Sequence, residues 1–136
     1  MLKHLRSGLP AITLMLLLTT LWSCNNTNTS AETAPAAPAT GMPHLIDLGA
    51  SKCIPCQKMS PVLDQLKEDF RGEMGVEFID VWETKEQAAA YNIQMIPTQI
   101  FYAPDGTELY RHMGFYSREQ ILQKWAELGY SFGDRN

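Results

Sequence analysis

Two cysteines three positions apart carry the clearest chemistry in this sequence. Cys53 and Cys56 lie in the segment 49-GASKCIPCQKMSP-61, separated by an isoleucine and a proline. A pair at this spacing can exchange disulfides with another molecule, form a structural disulfide, or supply two ligands to a metal ion. The elements on either side of the pair indicate which chemistry is favoured.

The pair falls at the junction of a predicted strand and a predicted helix. The short apolar run 44-HLIDLG-49 ends in glycine and predicts a buried strand. Apolar residues then recur at helical spacing from about residue 55 to 70, with Pro61 inside the helix and Gly72 at its end. We therefore expect Cys53 at the N-terminus of a helix.

A helix N-terminus makes Cys53 the better nucleophile of the two. The free backbone N–H groups and the positive end of the helix dipole favour a thiolate over a thiol. Pro55 suits the first turn, where its missing N–H costs no hydrogen bond. Cys56 lies about one turn further, within reach of the Cys53 sulfur. We predict that Cys53 attacks a substrate and that Cys56 then resolves the mixed disulfide.

Three other interpretations of the pair stay open. A zinc site needs about four ligands, and the predicted domain adds at most His44 and His112 to the two cysteines. A structural disulfide would close a very short loop and stabilise the fold little. Two inert, buried thiols are the third alternative. We expect no metal ion and no cofactor.

The remaining elements predict an α/β layer fold in the order β-α-β-α-β-β-α. The closing hairpin makes the sheet mixed. We expect four strands in a central sheet flanked by helices. The further predicted elements are a strand at 76–81, a helix at 84–91, strands at 98–102 and 107–112, and a helix opened by the capping box 117-SREQ-120.

The first 23 residues differ from the rest of the chain. Two basic residues precede an apolar run over 9–22, which is shorter than the roughly 20 residues of a membrane span and typical of a secretory signal. The segment 21-LWSC-24 resembles the bacterial lipoprotein signal, although Trp22 is bulkier than that pattern usually carries. This resemblance implies cleavage before Cys24 and a lipid on that cysteine. A plain signal peptide and an uncleaved anchor are the alternatives.

A lipid on Cys24 would account for the odd number of cysteines. The chain has three, and the remaining pair would then lie in an exported compartment where disulfides can form. The segment after Cys24 is rich in Asn, Thr, Ser, Ala and Pro and cannot bury enough apolar surface to fold. The predicted organisation is a signal peptide at 1–23, the lipidated cysteine and a flexible tether at 24–42, a folded domain at 43–130 and a C-terminal tail at 131–136.

Charge and composition exclude one class of partner. The chain carries 11 basic and 15 acidic residues, so no basic surface for nucleic acid is expected.

We predict a place in a bacterial envelope, facing the periplasm. Asn25, in place of the aspartate that marks inner-membrane retention, slightly favours the outer membrane.

The domain resembles the thioredoxin family from about residue 44 to 128. The resemblance rests on the proline before the second cysteine, on Pro61 five positions after Cys56, on Asp47 six positions before Cys53, and on the triplet 96-IPT-98. Gly114 resembles a glycine near the family's substrate groove. The resemblance implies a thioredoxin-like fold and a redox-active disulfide between Cys53 and Cys56.

The resemblance also implies roles for two further residues. Asp47 would be a buried acid beneath Cys56, with a pKa that burial raises, and it would take the proton of that thiol. The peptide bond before Pro97 would be cis and leave the backbone of Ile96 free to pair with an extended substrate. The alternatives are an aspartate hydrogen-bonded at a strand end and a plain proline that opens a strand.

Two positions depart from the family pattern. Lys52 stands where the family usually has tryptophan; it could stabilise the Cys53 thiolate, attract acidic partners or be a solvated surface lysine. The family's lysine that faces the buried acid has no match in 76–81. The residues expected to contact a substrate are Lys52, Ile54, Pro55, Ile96, Thr98 and Gly114.

These observations predict an envelope thiol–disulfide oxidoreductase, and a reductase before an oxidase or isomerase. Its expected partners are exported proteins with disulfides and, as the resemblance implies, an electron donor in the membrane. We expect a monomer. The alternative from another class is a binding module that holds a partner in the thioredoxin groove without catalysis.

Overall fold

The structure, a computed structural model, describes residues 39–133. The predicted signal peptide, Cys24, most of the predicted tether and the last three residues lie outside these described residues. Seven elements follow in the predicted order: β1 (His44–Gly49), α1 (Ile54–Asp69), β2 (Gly75–Asp80), α2 (Lys85–Ala90), β3 (Thr98–Tyr102), β4 (Glu108–Met113) and α3 (Arg118–Glu127).

The four strands form one mixed sheet in the order β2-β1-β3-β4. β1 pairs with β2 in parallel, because the helix α1 carries the chain back across the sheet, and β3 is antiparallel to both β1 and β4. The predicted α/β fold with a mixed four-stranded sheet flanked by helices is confirmed.

The register brings the candidate site to one edge of the sheet. Gly49 at the end of β1 pairs with Asp80 at the end of β2. Its neighbour Leu48 pairs with Thr98 at the start of β3, and Thr98 pairs with Met113 at the end of β4. The loops that leave these strand ends therefore lie side by side, and the cysteine pair follows directly after β1.

Apolar side chains fill both faces of the sheet. On one face α1 and α3 cover a core that includes Leu45, Leu66, Phe101 and Trp125, all fully buried. Phe132, in the predicted C-terminal tail, packs its ring against this core, 5.3 Å from the ring of Phe70. The opposite face buries Ile46, Leu48, Ile79, Ile100 and Tyr102.

The helix ends differ a little from the sequence prediction. α1 ends at Asp69, and Gly72 lies in the following turn with a φ of 82°, a conformation that glycine adopts at no steric cost. The predicted capping box at the start of α3 is present, since Ser117 and Gln120 exchange hydrogen bonds. None of the helices within residues 39–133 has the length and apolarity that crossing a membrane requires.

Candidate active site

Cys53 caps the N-terminus of α1. Its backbone is extended, with φ −87° and ψ 117°, and its Sγ accepts a hydrogen bond from the Cys56 N–H at 3.4 Å. Pro55 occupies the first turn of the helix. A sulfur in this position accepts from a backbone N–H that has no partner within the helix, and it lies at the positive end of the helix dipole. Both effects stabilise a thiolate.

The two sulfurs form a disulfide in this structure and differ in exposure. Cys53 and Cys56 are bonded to each other. Cys53 is partly exposed, whereas Cys56 is 2% exposed. A large substrate can therefore reach Cys53 more readily than Cys56, and the division between an attacking and a resolving cysteine stays a prediction.

The loop before Cys53 is held by hydrogen bonds to both backbone groups of Ser51. The Asp80 carboxylate accepts from the Ser51 N–H at 2.8 Å and from the Trp82 N–H at 2.9 Å. Gln57 donates from Nε2 to the Ser51 carbonyl at 2.9 Å. The hydrogen bond from Ser51, with that from Trp82, holds the pKa of Asp80 below its usual value. Asp80 and Gln57 thus position the start of α1.

Asp47 is a fully buried acid on the central strand β1. Its Oδ1 accepts a hydrogen bond of 2.6 Å from Gln99 Nε2, and Gln99 is the residue directly opposite on β3. Burial raises the pKa of Asp47 to about 6, although the Gln99 hydrogen bond acts to lower it. The other oxygen, Oδ2, is buried and has no hydrogen-bond partner among the described residues.

Gly49 lies close to both Asp47 and Cys56. A β-carbon on Gly49 would lie 3.2 Å from Cys56 Cβ and 3.4 Å from Asp47 Oδ2. It would also lie 2.9 Å from Phe78 Cε2, closer than packed carbon atoms come. The free oxygen of Asp47 and the side chain of Cys56 therefore border the same small space, which only glycine at position 49 keeps open.

The segment around Pro97 forms the opposite side of the site. The Ile96–Pro97 peptide bond is cis, as the resemblance implies. Thr98 Oγ1 donates to the Met95 carbonyl at 2.7 Å, and the Gly114 N–H donates to the Pro97 carbonyl at 2.8 Å. Gly114 has a φ of 99°, a left-handed conformation that favours glycine. The structure thus joins two predicted site residues, Pro97 and Gly114, through one hydrogen bond.

Exposed apolar side chains surround the disulfide end of the sheet. Ile54, between the cysteines, is 71% exposed, and Met95 and Met113 are both more than half exposed on either side of the Pro97 segment. Lys52 and Pro55 are exposed, Ile96 is partly exposed, and Thr98 is buried. Met59 and Met74 are buried, whereas Met95 and Met113 lie at the surface.

Sequence reasoning missed four residues of this site. Gln99 is the partner of the buried acid, and it comes from β3, not from the strand predicted at 76–81, where the family's lysine was expected. The available signal was a lone amide in the apolar strand 98-TQIFY-102. Gly49, Phe78 and Asp80 carried no comparable signal, because their roles depend on which strand ends become neighbours. Across residues 39–133, no three side chains of His, Cys, Asp or Glu are grouped so that they could hold a metal ion.

The fold and the disulfide at its helix N-terminus define the class of protein, a thiol–disulfide oxidoreductase. The sequence model described as "Thioredoxin" matches residues 28–127, and the chain belongs to the thioredoxin family. It is a thioredoxin-like disulfide oxidoreductase.

The chain is similar to several proteins described as thioredoxins. The thioredoxin of Staphylococcus aureus strain Mu50 is 34% identical over 79 residues, which are 58% of this chain and 75% of that protein. Among solved structures, chloroplastic thioredoxin z has a TM-score of 0.59 at 27% identity, over 65% of this chain and 80% of its own. The Drosophila melanogaster thioredoxin Deadhead has the same fold, with a TM-score of 0.59 at 23% identity, over 66% and 84% of the two chains.

Proposed function

We propose that this protein reduces disulfides in exported proteins at the surface of a bacterial membrane, with Cys53 as the nucleophile. The observation that carries the catalytic part is the position of Cys53, which is partly exposed and caps the N-terminus of α1, while Cys56 is buried. Substrate chains would lie along the groove that the resemblance implies, beside the exposed apolar side chains of Ile54, Met95 and Met113. There they would contact Lys52, Pro55, Ile96, Thr98 and Gly114.

The first step is attack by the Cys53 thiolate on one sulfur of a substrate disulfide. A bond forms between Cys53 Sγ and that sulfur, and the substrate S–S bond breaks. The second substrate sulfur leaves as a thiolate and takes a proton from water. Lys52, exposed beside Cys53, adds a positive charge near the attacking group.

The second step releases the substrate. Asp47, through its free Oδ2, takes the proton of the Cys56 thiol across the space beside Gly49. The Cys56 sulfur attacks Cys53 Sγ, the Cys53–Cys56 disulfide forms, and the mixed disulfide breaks. The released substrate sulfur leaves as a thiolate and takes a proton from water. The substrate then carries two thiols, so two electrons have passed from the cysteine pair to the substrate. A dithiol donor at the membrane then restores the reduced pair.

The direction of electron flow is tested by the reduction potential of the Cys53–Cys56 pair. We expect a value near that of thioredoxin, about −270 mV, because Asp47 and the proline before Cys56 match the reducing members of the family. The potential is obtained by equilibrating the protein with glutathione or dithiothreitol buffers and counting free thiols. A value of about −120 to −180 mV would contradict the reductase and support the alternative, an oxidase or isomerase.

The envelope location rests on the lipoprotein-like segment that ends in Cys24, which lies outside the described residues. In bacteria that express the full chain, we expect the protein to sediment with membranes and to partition into detergent. Cys24→Ser removes the acceptor of the lipid and should move the protein to the soluble fraction. Partition into detergent that persists in Cys24→Ser would count against lipidation. Sucrose-gradient separation of the two membranes tests the preference for the outer one.

The cysteine pair acts within one chain in this proposal, so the protein would work as a monomer without a cofactor. The apolar groove also supports a second function, the binding of a partner without catalysis. The two functions differ in whether the cysteines are needed, and the cysteine variants argued in the Discussion separate them.

A further inference from the structure

Gln99 is the strongest feature of the site that the reaction described above leaves unused. It is fully buried, lies opposite Asp47 in the β1–β3 register, and donates from Nε2 to Asp47 Oδ1 at 2.6 Å. A buried amide in an otherwise apolar strand is costly unless it is hydrogen-bonded. Its one described hydrogen bond is to the acid that faces the resolving cysteine.

The contact determines which oxygen of Asp47 can carry a proton. Oδ1 accepts from the amide at 2.6 Å, and the unprotonated oxygen of a carboxylic acid is its better acceptor. The contact therefore favours a proton on Oδ2, which has no hydrogen-bond partner among the described residues and borders the same space as the Cys56 side chain beside Gly49. Without the amide, the carboxyl could rotate and present either oxygen.

The amide is neutral, which distinguishes it from a cationic partner. The amide stabilises the carboxylate by one hydrogen bond. It adds no full positive charge that would lower the pKa of Asp47 further, so the acid can still hold and release a proton. Gln99 from β3 donates a hydrogen bond to Asp47, Phe78 on β2 is its register partner, and Cys56 of α1 lies across the space beside Gly49. None of them is charged, and Cys56 is the one that titrates when the disulfide is reduced.

We propose that Gln99 is a positioning residue, which holds Asp47 with Oδ2 toward Cys56 and tunes the proton transfer that releases the substrate. In that transfer the Cys56 S–H bond breaks, the Oδ2–H bond forms, and the sulfur keeps the electron pair with which it attacks Cys53. The role of Asp47 in this step rests on the proposed function, whereas the effect of Gln99 on Asp47 is measurable without any substrate.

The direct test is the titration of Asp47 in the oxidised protein, followed by the carboxyl carbon signal in NMR and assigned by its loss in Asp47→Asn. Gln99→Met keeps the side-chain length and removes the amide. We expect the midpoint to move up by about one pH unit or more, since a hydrogen bond to the charged form is lost. Gln123→Met, the same change at an exposed position on α3, should leave the midpoint unchanged.

A second variant keeps the test valid if Gln99→Met does not fold. Gln99→Glu has nearly the shape of the amide, and two carboxyls at this distance cannot both ionise readily. The pair should lose its first proton below the wild-type midpoint and its second above it. An Asp47 titration that stays at the wild-type midpoint in every variant that folds would overturn the proposal.

The kinetic test separates positioning from a merely structural role. The substrate is first joined to Cys53 as a mixed disulfide, with Cys56 as the free thiol. The rate at which Cys56 releases this substrate is then measured against pH. If the pKa of Asp47 rises by one unit, Gln99→Met should slow release about fivefold at pH 6 and move the pH profile of release toward higher pH. In an Asp47→Asn background Gln99→Met should have no effect on release. An equal slowing in both backgrounds would indicate a structural role and overturn the proposal. If no variant, nor the wild type, releases substrate, the proposed function fails while the NMR result still decides the role of Gln99.

Discussion

Cys53→Ser is expected to reduce disulfide turnover to the uncatalysed background, a loss on the order of 10³-fold or more. The reason is that Cys53 is the partly exposed cysteine of the pair and the one at the helix N-terminus. A serine hydroxyl stays protonated there and is a poor nucleophile toward sulfur. Turnover is measured as reduction of a protein disulfide, such as that of insulin, with dithiothreitol as the electron donor.

Cys56→Ser should fail at a different step. Cys53 can still attack, but nothing resolves the mixed disulfide, so a covalent complex with the substrate should accumulate and be visible on a non-reducing gel. Cys53→Ser should form far less of this complex, because Cys56 is 2% exposed. Cys24→Ser, the same chemical change at the third cysteine, is the matched control and should leave the turnover of the purified protein unchanged.

The same variants distinguish the enzyme from a binding module. A module that holds a partner in the apolar groove would keep that partner with either cysteine replaced, because the contacts of Ile54 and the Pro97 segment remain. Full retention of turnover in Cys53→Ser would contradict the assignment of the nucleophile. Equal trapping by Cys53→Ser and Cys56→Ser would contradict the division of roles that exposure indicates.

The elements that position the site were predictable because their patterns are local. The apolar run of β1, the helical spacing after Pro55 and the capping box at Ser117 each lie within one stretch of sequence, and the structure has all three elements. The CxxC spacing and the 96-IPT-98 triplet are equally local. Together they predicted Cys53 at a helix N-terminus, which the structure confirms.

The contacts between strands were not predictable in the same way. Gln99 meets Asp47 only because β3 runs antiparallel beside β1 in one register, and a shift by one residue would turn every side chain to the other face of the sheet. Asp80 meets Ser51 because the parallel strands β1 and β2 end at the same edge. Gly49 reveals its role only when Phe78 and Cys56 are packed around it.

Asp47→Asn is expected to change how stability depends on pH. Burial raises the pKa of Asp47 in the folded protein to about 6, against 3.8 for an unperturbed aspartate. Between these two values the folded state binds more protons than the unfolded state, so the free energy of unfolding falls as pH rises. The shift corresponds to a loss of about 3 kcal/mol between pH 3 and pH 8, and an asparagine, which does not ionise, removes it.

The measurement is urea unfolding of the oxidised protein at a series of pH values. The stability difference between Asp47→Asn and the wild type should shift in favour of the variant by about 3 kcal/mol from pH 3 to pH 8, mostly between about pH 4 and 7. The sign follows from the raised pKa: the protonated acid suits the apolar interior at low pH, and its ionised form must be buried at high pH with one hydrogen bond from Gln99. Asp64→Asn, the same change at an exposed position on α1, should keep the pH dependence of the wild type. A difference that stays constant with pH would mean that Asp47 has the same pKa in the folded and the unfolded protein, near the ordinary 3.8. An acid with that pKa would be a poor acceptor for the proton that Cys56 gives up.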